Sequence, residues 1–158
     1  MQFSVDPRIL RQPVHLIAFG FGAGLSPRAP GTLGTLVGVP FVLLLNNWSL
    51  PVQIALLVAA FALGVYVCGE SARRLGVHDH GGIVWDEVTG YAITMLAAPA
   101  EPIWLATGFA LFRFFDIVKP WPIREADHSL RGGLGIMLDD VLAAIFAGAI
   151  LHLIHRLL

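Results

Sequence analysis

The sequence predicts an all-α fold: a polytopic membrane helical bundle of about five membrane-embedded helices, with an active site at the cytoplasmic face. Three observations carry that expectation. Hydrophobic residues make up 56% of the 158 and charged residues 13%, with a mean hydropathy of +0.75. A water-soluble domain carries about 25% charged residues to solvate its surface. No Asp, Glu, Lys or Arg occurs between Arg28 and Glu70, a stretch with room for two spanning helices of about 20 residues each. Finally, most of the acids fall in or beside two polar segments, 70–87 and 116–140. The length suits a single domain, residues 1–158.

Taken in order, residues 1–12 are polar, with Asp6, Arg8 and Arg11. They lack the apolar core and small-residue cleavage site of a signal peptide, so none is expected. Segment 14–25 is apolar and glycine-rich, and an interfacial and a re-entrant reading both stay open. A first helix is expected over 32–46 and a second over 51–69. Asn46-Asn47-Trp48-Ser49 and Pro51 break the apolar run between them, with Trp48 at the interface. A second hairpin, 88–98 and 103–115, turns at Pro99-Ala100-Glu101-Pro102. Each arm is short for a span and borrows a turn from its polar flank. The last helix is expected over 141–157.

Parity places the N-terminal arm and both polar segments on one side, with Arg8, Arg11, Arg28, Arg73, Arg74, Lys119, Arg124 and Arg131. The two hairpin turns hold no Lys or Arg. By the positive-inside rule the charged side is cytoplasmic and the C-terminus lies outside.

The net charge of −1 and the lack of a basic, aromatic-rich patch exclude nucleic acid as a partner. Cys68 is the sole cysteine and forms no intrachain disulfide. Cys68 and Arg74 have the spacing of a cysteine phosphatase loop, but Glu70 between them would repel phosphate. His78-Asp79-His80 supplies too few nitrogen or sulfur ligands for a tetrahedral zinc site. These histidines read better as orienting Asp79 or assisting proton transfer.

Chemistry is expected where acids gather at helix ends: Glu70, Asp79, Asp86, Glu87, Asp116, Glu125, Asp127, Asp139 and Asp140. Asp86-Glu87 is expected to open the third helix, Asp116 to close the fourth and Asp139-Asp140 to open the fifth. Those ends lie on one side, so the groups can converge. Acids at helix starts are ordinary caps. Two adjacent pairs, and an acid at a C-terminus where negative charge is unfavourable, exceed what capping asks. A hard divalent cation held by oxygen ligands resolves the repulsion, and Mg²⁺ suits a phosphate substrate. Asp86, Glu87, Asp116, Asp139 and Asp140 are the candidate ligands.

Among basic residues, Lys119, Arg124 and Arg131 are candidates for phosphate oxygens. Arg73, Arg74 and Arg156 read as topological decoration. Arg113 interrupts an apolar helix, and either pairs with a carboxylate or snorkels. The turn before the first helix holds Arg28, Thr32 and Thr35, candidates for anion binding at a helix start. A plain turn and cap explains them equally well.

Four runs, 26–35 (SPRAPGTLGT), 77–87 (VHDHGGIVWDE), 112–123 (FRFFDIVKPWPI) and 133–140 (GLGIMLDD), together resemble the phosphatidylglycerophosphatase A family. The resemblance runs in order from about Ser26 to the C-terminus. It implies a Mg²⁺-dependent, all-helical phosphatase of the bacterial inner membrane, whose lipid substrate is phosphatidylglycerophosphate and whose products are phosphatidylglycerol and phosphate. The family's acidic positions fall on Asp79, Asp86, Glu87, Asp116, Asp139 and Asp140, and its basic position on Lys119.

The mechanism expected is metal-assisted hydrolysis. Asp79 or Glu87 is the base, and Lys119 and Arg124 neutralise the phosphoryl group. A covalent aspartyl-phosphate route stays open, as does oligomeric state. The rival reading is a small membrane cation-binding or transport protein, which would place its acids at the bilayer midplane. A CDP-linked phosphotransferase would need a D-G-x-x-A-R run, which does not occur.

Overall fold

The computed structural model describes residues 5–77, 80–125 and 131–158, and among them every regular element is a helix. A short 3-10 helix, Pro7–Arg11, is capped by Asp6, whose Oδ1 accepts from the Arg8 N–H at 2.8 Å. Segment 14–25, left open by the sequence, forms α1 (Pro13–Ala18) and a second 3-10 helix, Gly20–Leu25. α1 packs on the helix over Leu50–Leu75 and the 3-10 helix on the one over Pro30–Leu45. Neither is long enough to cross a bilayer.

α2 (Pro30–Leu45) begins on a proline, whose missing N–H costs nothing at a helix start. It ends where Asn47 donates its side-chain amide to Leu43 O at 2.8 Å. α3 (Leu50–Leu75) continues six residues past the expected end at 69. Glu70 accepts from Arg73 and Arg74 at 2.7 Å, one turn on, so these charges extend the helix instead of stopping it. Gly76, at φ +69, then closes it.

α4 (Trp85–Thr94) and α5 (Pro102–Val118) form the second hairpin. α6 (Gly132–Leu157) starts nine residues before the expected 141. Asp139 and Asp140 therefore do not open the last helix. They lie two turns inside it.

Among the described residues, α3 and α6 are the two helices long and apolar enough to cross a membrane. The sequence expects about five membrane-embedded helices, and two of them have the length of a span. The 16, 10 and 17 residues of α2, α4 and α5 rise about 24, 15 and 25 Å, short of a hydrocarbon core of about 30 Å. α3 leaves Val52, Ile54, Leu56, Val58 and Leu63 exposed.

α6 is the axis of the bundle, packed by α3, α4 and α5, and α2 covers the far side of α4. Tyr91, Phe112, Ala143, Ala144, Ala147 and Leu151 fill the interior between α4, α5 and α6. Gly90 allows the close approach: a Cβ there would stand 2.7 Å from the Phe112 ring and 3.3 Å from Asp140 Cβ. With neighbouring helices alternating in direction, the start of α2, the end of α3, the start of α4, the end of α5 and the first third of α6 share one end of the molecule.

Candidate active site

The entrance to α4 is fixed from two sides. The Val84 N–H donates to Ala18 O at 2.8 Å, and the Trp85 indole donates to Ala60 O at 3.1 Å. This holds Asp86 and Glu87 in the first turn of α4, facing α5 and α6. Asp86, Asp139 and Asp140 are buried, at 9%, 5% and 3% exposure. One oxygen from each of Asp86, Glu87 and Asp140 lies within 4.8 Å of the other two. Asp140 is interior to its helix, so capping cannot account for it.

The cluster is left electrostatically incomplete by its own residues. Asp86 Oδ1, Glu87 Oε2 and Asp140 Oδ2 are buried with no hydrogen-bond partner among the described residues. Burial, with the charges of Glu87 and Asp140 added, pushes the Asp86 carboxyl well above the usual range. Burial also pushes Glu87 up to about 7, against the opposing pull of its hydrogen bond with Asp86. A positive charge between the three carboxylates would reverse both effects.

α5 supplies the cations. Arg113 Nη1 donates to Asp116 Oδ2, one turn along the same helix, and stands 3.6 Å from Glu87 Oε1. Lys119 ends α5 in the left-handed region at φ 44, a conformation that costs a non-glycine residue about 1 kcal/mol. From there its Nζ lies 2.5 Å from Asp139 Oδ2. The start of α2 closes the site, with Gly31 against Glu87 and Arg113.

Of the metal-ligand candidates, then, Asp86, Glu87 and Asp140 converge. Asp116 adjoins them, bonded to Arg113, and Asp139 turns to Lys119. Asp79 lies outside the described residues. Arg28, Arg124 and Arg131 are exposed, and Thr32 is half-buried. Thr35 is buried, its hydroxyl donating to Gly31 O at 2.9 Å within its own helix.

Two residues at the site were not singled out from the sequence as functional. The sequence leaves Arg113 between pairing and snorkelling, and in the structure it pairs with Asp116. Thr89 lies one turn beyond Asp86, fully buried. Thr35 and Thr94 donate to carbonyls four residues back, whereas the Thr89 hydroxyl has no partner among the described residues. Its three-residue spacing from Asp86 was the available signal.

Fold and site together define an all-helical protein with a buried carboxylate centre flanked by two cations. The model of the family Phosphatidylglycerophosphatase A matches residues 16–155. A phosphatidylglycerophosphatase A of Escherichia coli (strain K12) is 47% identical over 148 residues, which cover 92% of this chain and 85% of the relative. One from Haemophilus influenzae is 49% identical over 140 residues, covering 87% and 86%. No solved structure matches the chain. The chain belongs to the phosphatidylglycerophosphatase A family, and it is a phosphatase.

Proposed function

We propose that this chain hydrolyses phosphatidylglycerophosphate to phosphatidylglycerol and inorganic phosphate. On this reading it is Mg²⁺-dependent and works at the cytoplasmic face of a bacterial inner membrane. The observation that carries the reading is the family match over residues 16–155, with relatives at 47% and 49% identity that bear the name of that activity. The exposed apolar face of α3 supports a bilayer setting, since water would penalise it.

The donor set suits the cation. Asp86, Glu87 and Asp140 offer only carboxylate oxygen, the ligand class of Mg²⁺, and each has a buried oxygen without a partner among the described residues. These three would hold the ion, with Asp116 beside them. Bound there, Mg²⁺ would supply electrophilic stabilisation of a phosphoryl oxygen.

The chain's own residues do the rest. A water attacks phosphorus and the bond from phosphorus to the glycerol oxygen breaks, while a proton passes from the water to a carboxylate and from that carboxylate to the departing glycerol oxygen. The candidate bases are Asp79 and Glu87, and Glu87 can take the proton only where it is not itself a ligand of the ion. Lys119 holds Asp139 in place and offsets its charge beside Asp140.

The deciding experiment is phosphate release from phosphatidylglycerophosphate by the detergent-purified chain, with Mg²⁺ and with excess EDTA. Release that EDTA abolishes and Mg²⁺ restores is expected. A folded chain that releases nothing in either condition would overturn the assignment.

A further inference from the structure

We infer that Arg113 is the residue that grips the phosphoryl group, and that in the absence of substrate it is parked on Asp116. The inference rests on the phosphatase reading above. It adds a residue that the sequence leaves between carboxylate pairing and snorkelling.

Arg113 sits in an apolar helix, flanked by Phe112 and Phe114, with its side chain 15% exposed. Burying a guanidinium is costly unless its donors are used. Yet Nε is buried without a partner among the described residues. Nη1 serves Asp116, and its 3.6 Å separation from Glu87 Oε1 is an ion pair too long to count as a hydrogen bond. A guanidinium kept only to neutralise Asp116 has no need of its remaining donors. One that receives a tetrahedral dianion does, because its planar fork matches two phosphate oxygens at once.

The charge inventory points the same way. Among the described residues, Asp86, Glu87, Asp116, Asp139 and Asp140 meet two cations, Arg113 and Lys119, and Lys119 is engaged with Asp139. Even with a divalent cation bound, five carboxylates against two cations leave the centre negative. An incoming phosphate monoester would be repelled without a local positive group. Arg113 is the cation that stands beside the carboxylate triad.

Gly31 shapes the approach. A Cβ there would lie 3.1 and 3.2 Å from the two terminal nitrogens of Arg113 and 2.2 Å from Glu87 Oε1. A side chain at position 31 would collide with Glu87 and crowd the guanidinium, so glycine there lets the start of α2 pack against Arg113 without displacing it.

The test compares wild type with Arg113→Lys, which keeps the charge opposite Asp116 but loses the fork. Three readouts are needed: kcat/KM on the lipid, the inhibition constant of inorganic phosphate, and thermal stabilisation of the detergent-solubilised chain by phosphate and, separately, by Mg²⁺. We expect kcat/KM to fall about 10²–10³-fold, as when one preorganised donor to a transition state is removed. Stabilisation by phosphate should be lost and its inhibition constant raised at least about tenfold, one decade of binding. Stabilisation by Mg²⁺ should persist. If Arg113→Lys keeps wild-type phosphate stabilisation and inhibition, Arg113 is only the counter-charge of Asp116 and the inference fails. Phosphate stabilisation requires no turnover, so it judges Arg113 even if the lipid substrate proves to be a different one. Absence of hydrolysis by wild type would instead count against the phosphatase reading.

Discussion

Lys119 Nζ stands 2.5 Å from Asp139 Oδ2, so the left-handed end of α5 neutralises one of the two adjacent acids of α6. The other, Asp140, is left to face Asp86 and Glu87. Adjacent residues on a helix point about 100° apart, and this geometry divides the Asp139-Asp140 pair into two tasks.

That division predicts unequal consequences. Asp139→Asn should lower activity about 10–100-fold, the usual effect of losing a group that orients a metal centre from outside. It should leave stabilisation by Mg²⁺ intact. Asp140→Asn should cost about 10³-fold or more, about 4 kcal/mol at 1.36 kcal/mol per decade, and abolish that stabilisation. Steady-state rates and melting curves with and without Mg²⁺ separate the two. Equal effects on Mg²⁺ stabilisation would contradict the division.

Thr89 offers a sharper discrimination. Removing a buried hydroxyl that has no partner among the described residues should not destabilise the fold, because its desolvation is uncompensated. Thr89→Val should therefore melt at or above the wild-type temperature. If the hydroxyl serves the carboxylate centre, the same variant should lose about tenfold in kcat, or about 1.4 kcal/mol, and Thr89→Ser should recover most of it. A fully active Thr89→Val variant would remove Thr89 from the site.

Gly90 tests how the centre is assembled. Gly90→Ala places a methyl group 2.7 Å from the Phe112 ring, and overpacking of this kind costs about 1–3 kcal/mol. α4 must move away from α5 and α6, carrying Asp86 and Glu87 from Asp140. The expected result is a lower melting temperature together with a higher Mg²⁺ requirement for half-maximal rate.

His15 predicts a pH dependence remote from the carboxylates. Its ring bonds to Ser71 at 2.8 Å and joins α1 to the end of α3. Burial, then the charge of Arg74, lowers its pKa below 6.5, while Glu70 opposes the shift. A histidine held neutral in the folded state contributes stability above its unfolded pKa and loses it as pH falls through about 6.5 and below. Hydrogen exchange in α1 should accelerate on acidification from pH 7 to 5. His15→Gln should flatten that dependence, and an unchanged slope in this variant would assign it to other groups.

Much of the site was legible because carboxylates are rare in an apolar chain. Asp86, Glu87, Asp116, Asp139 and Asp140 stand out against their surroundings, and alternating helix direction brings their helix ends together whatever the helix boundaries are. The boundaries were less legible. Polar residues at 70–75 looked like a loop, but Glu70, Arg73 and Arg74 satisfy one another along a helix. Residues 132–140 looked like part of a polar connection, although Gly132 and Gly133 are followed by a helix that runs without a break to Leu157.

The sequence by itself determined the all-helical class, the family motifs and the set of acids, because composition and spacing are local properties of the chain. Only the tertiary structure decided which acids share a centre and which are already neutralised. It also decided that α3 and α6 have the length for a span, and that Arg113 is turned inward. Those outcomes depend on how closely α2, α4, α5 and α6 approach one another, which Gly31, Gly90 and the side chains they meet decide. Residue spacing along one helix does not carry that information.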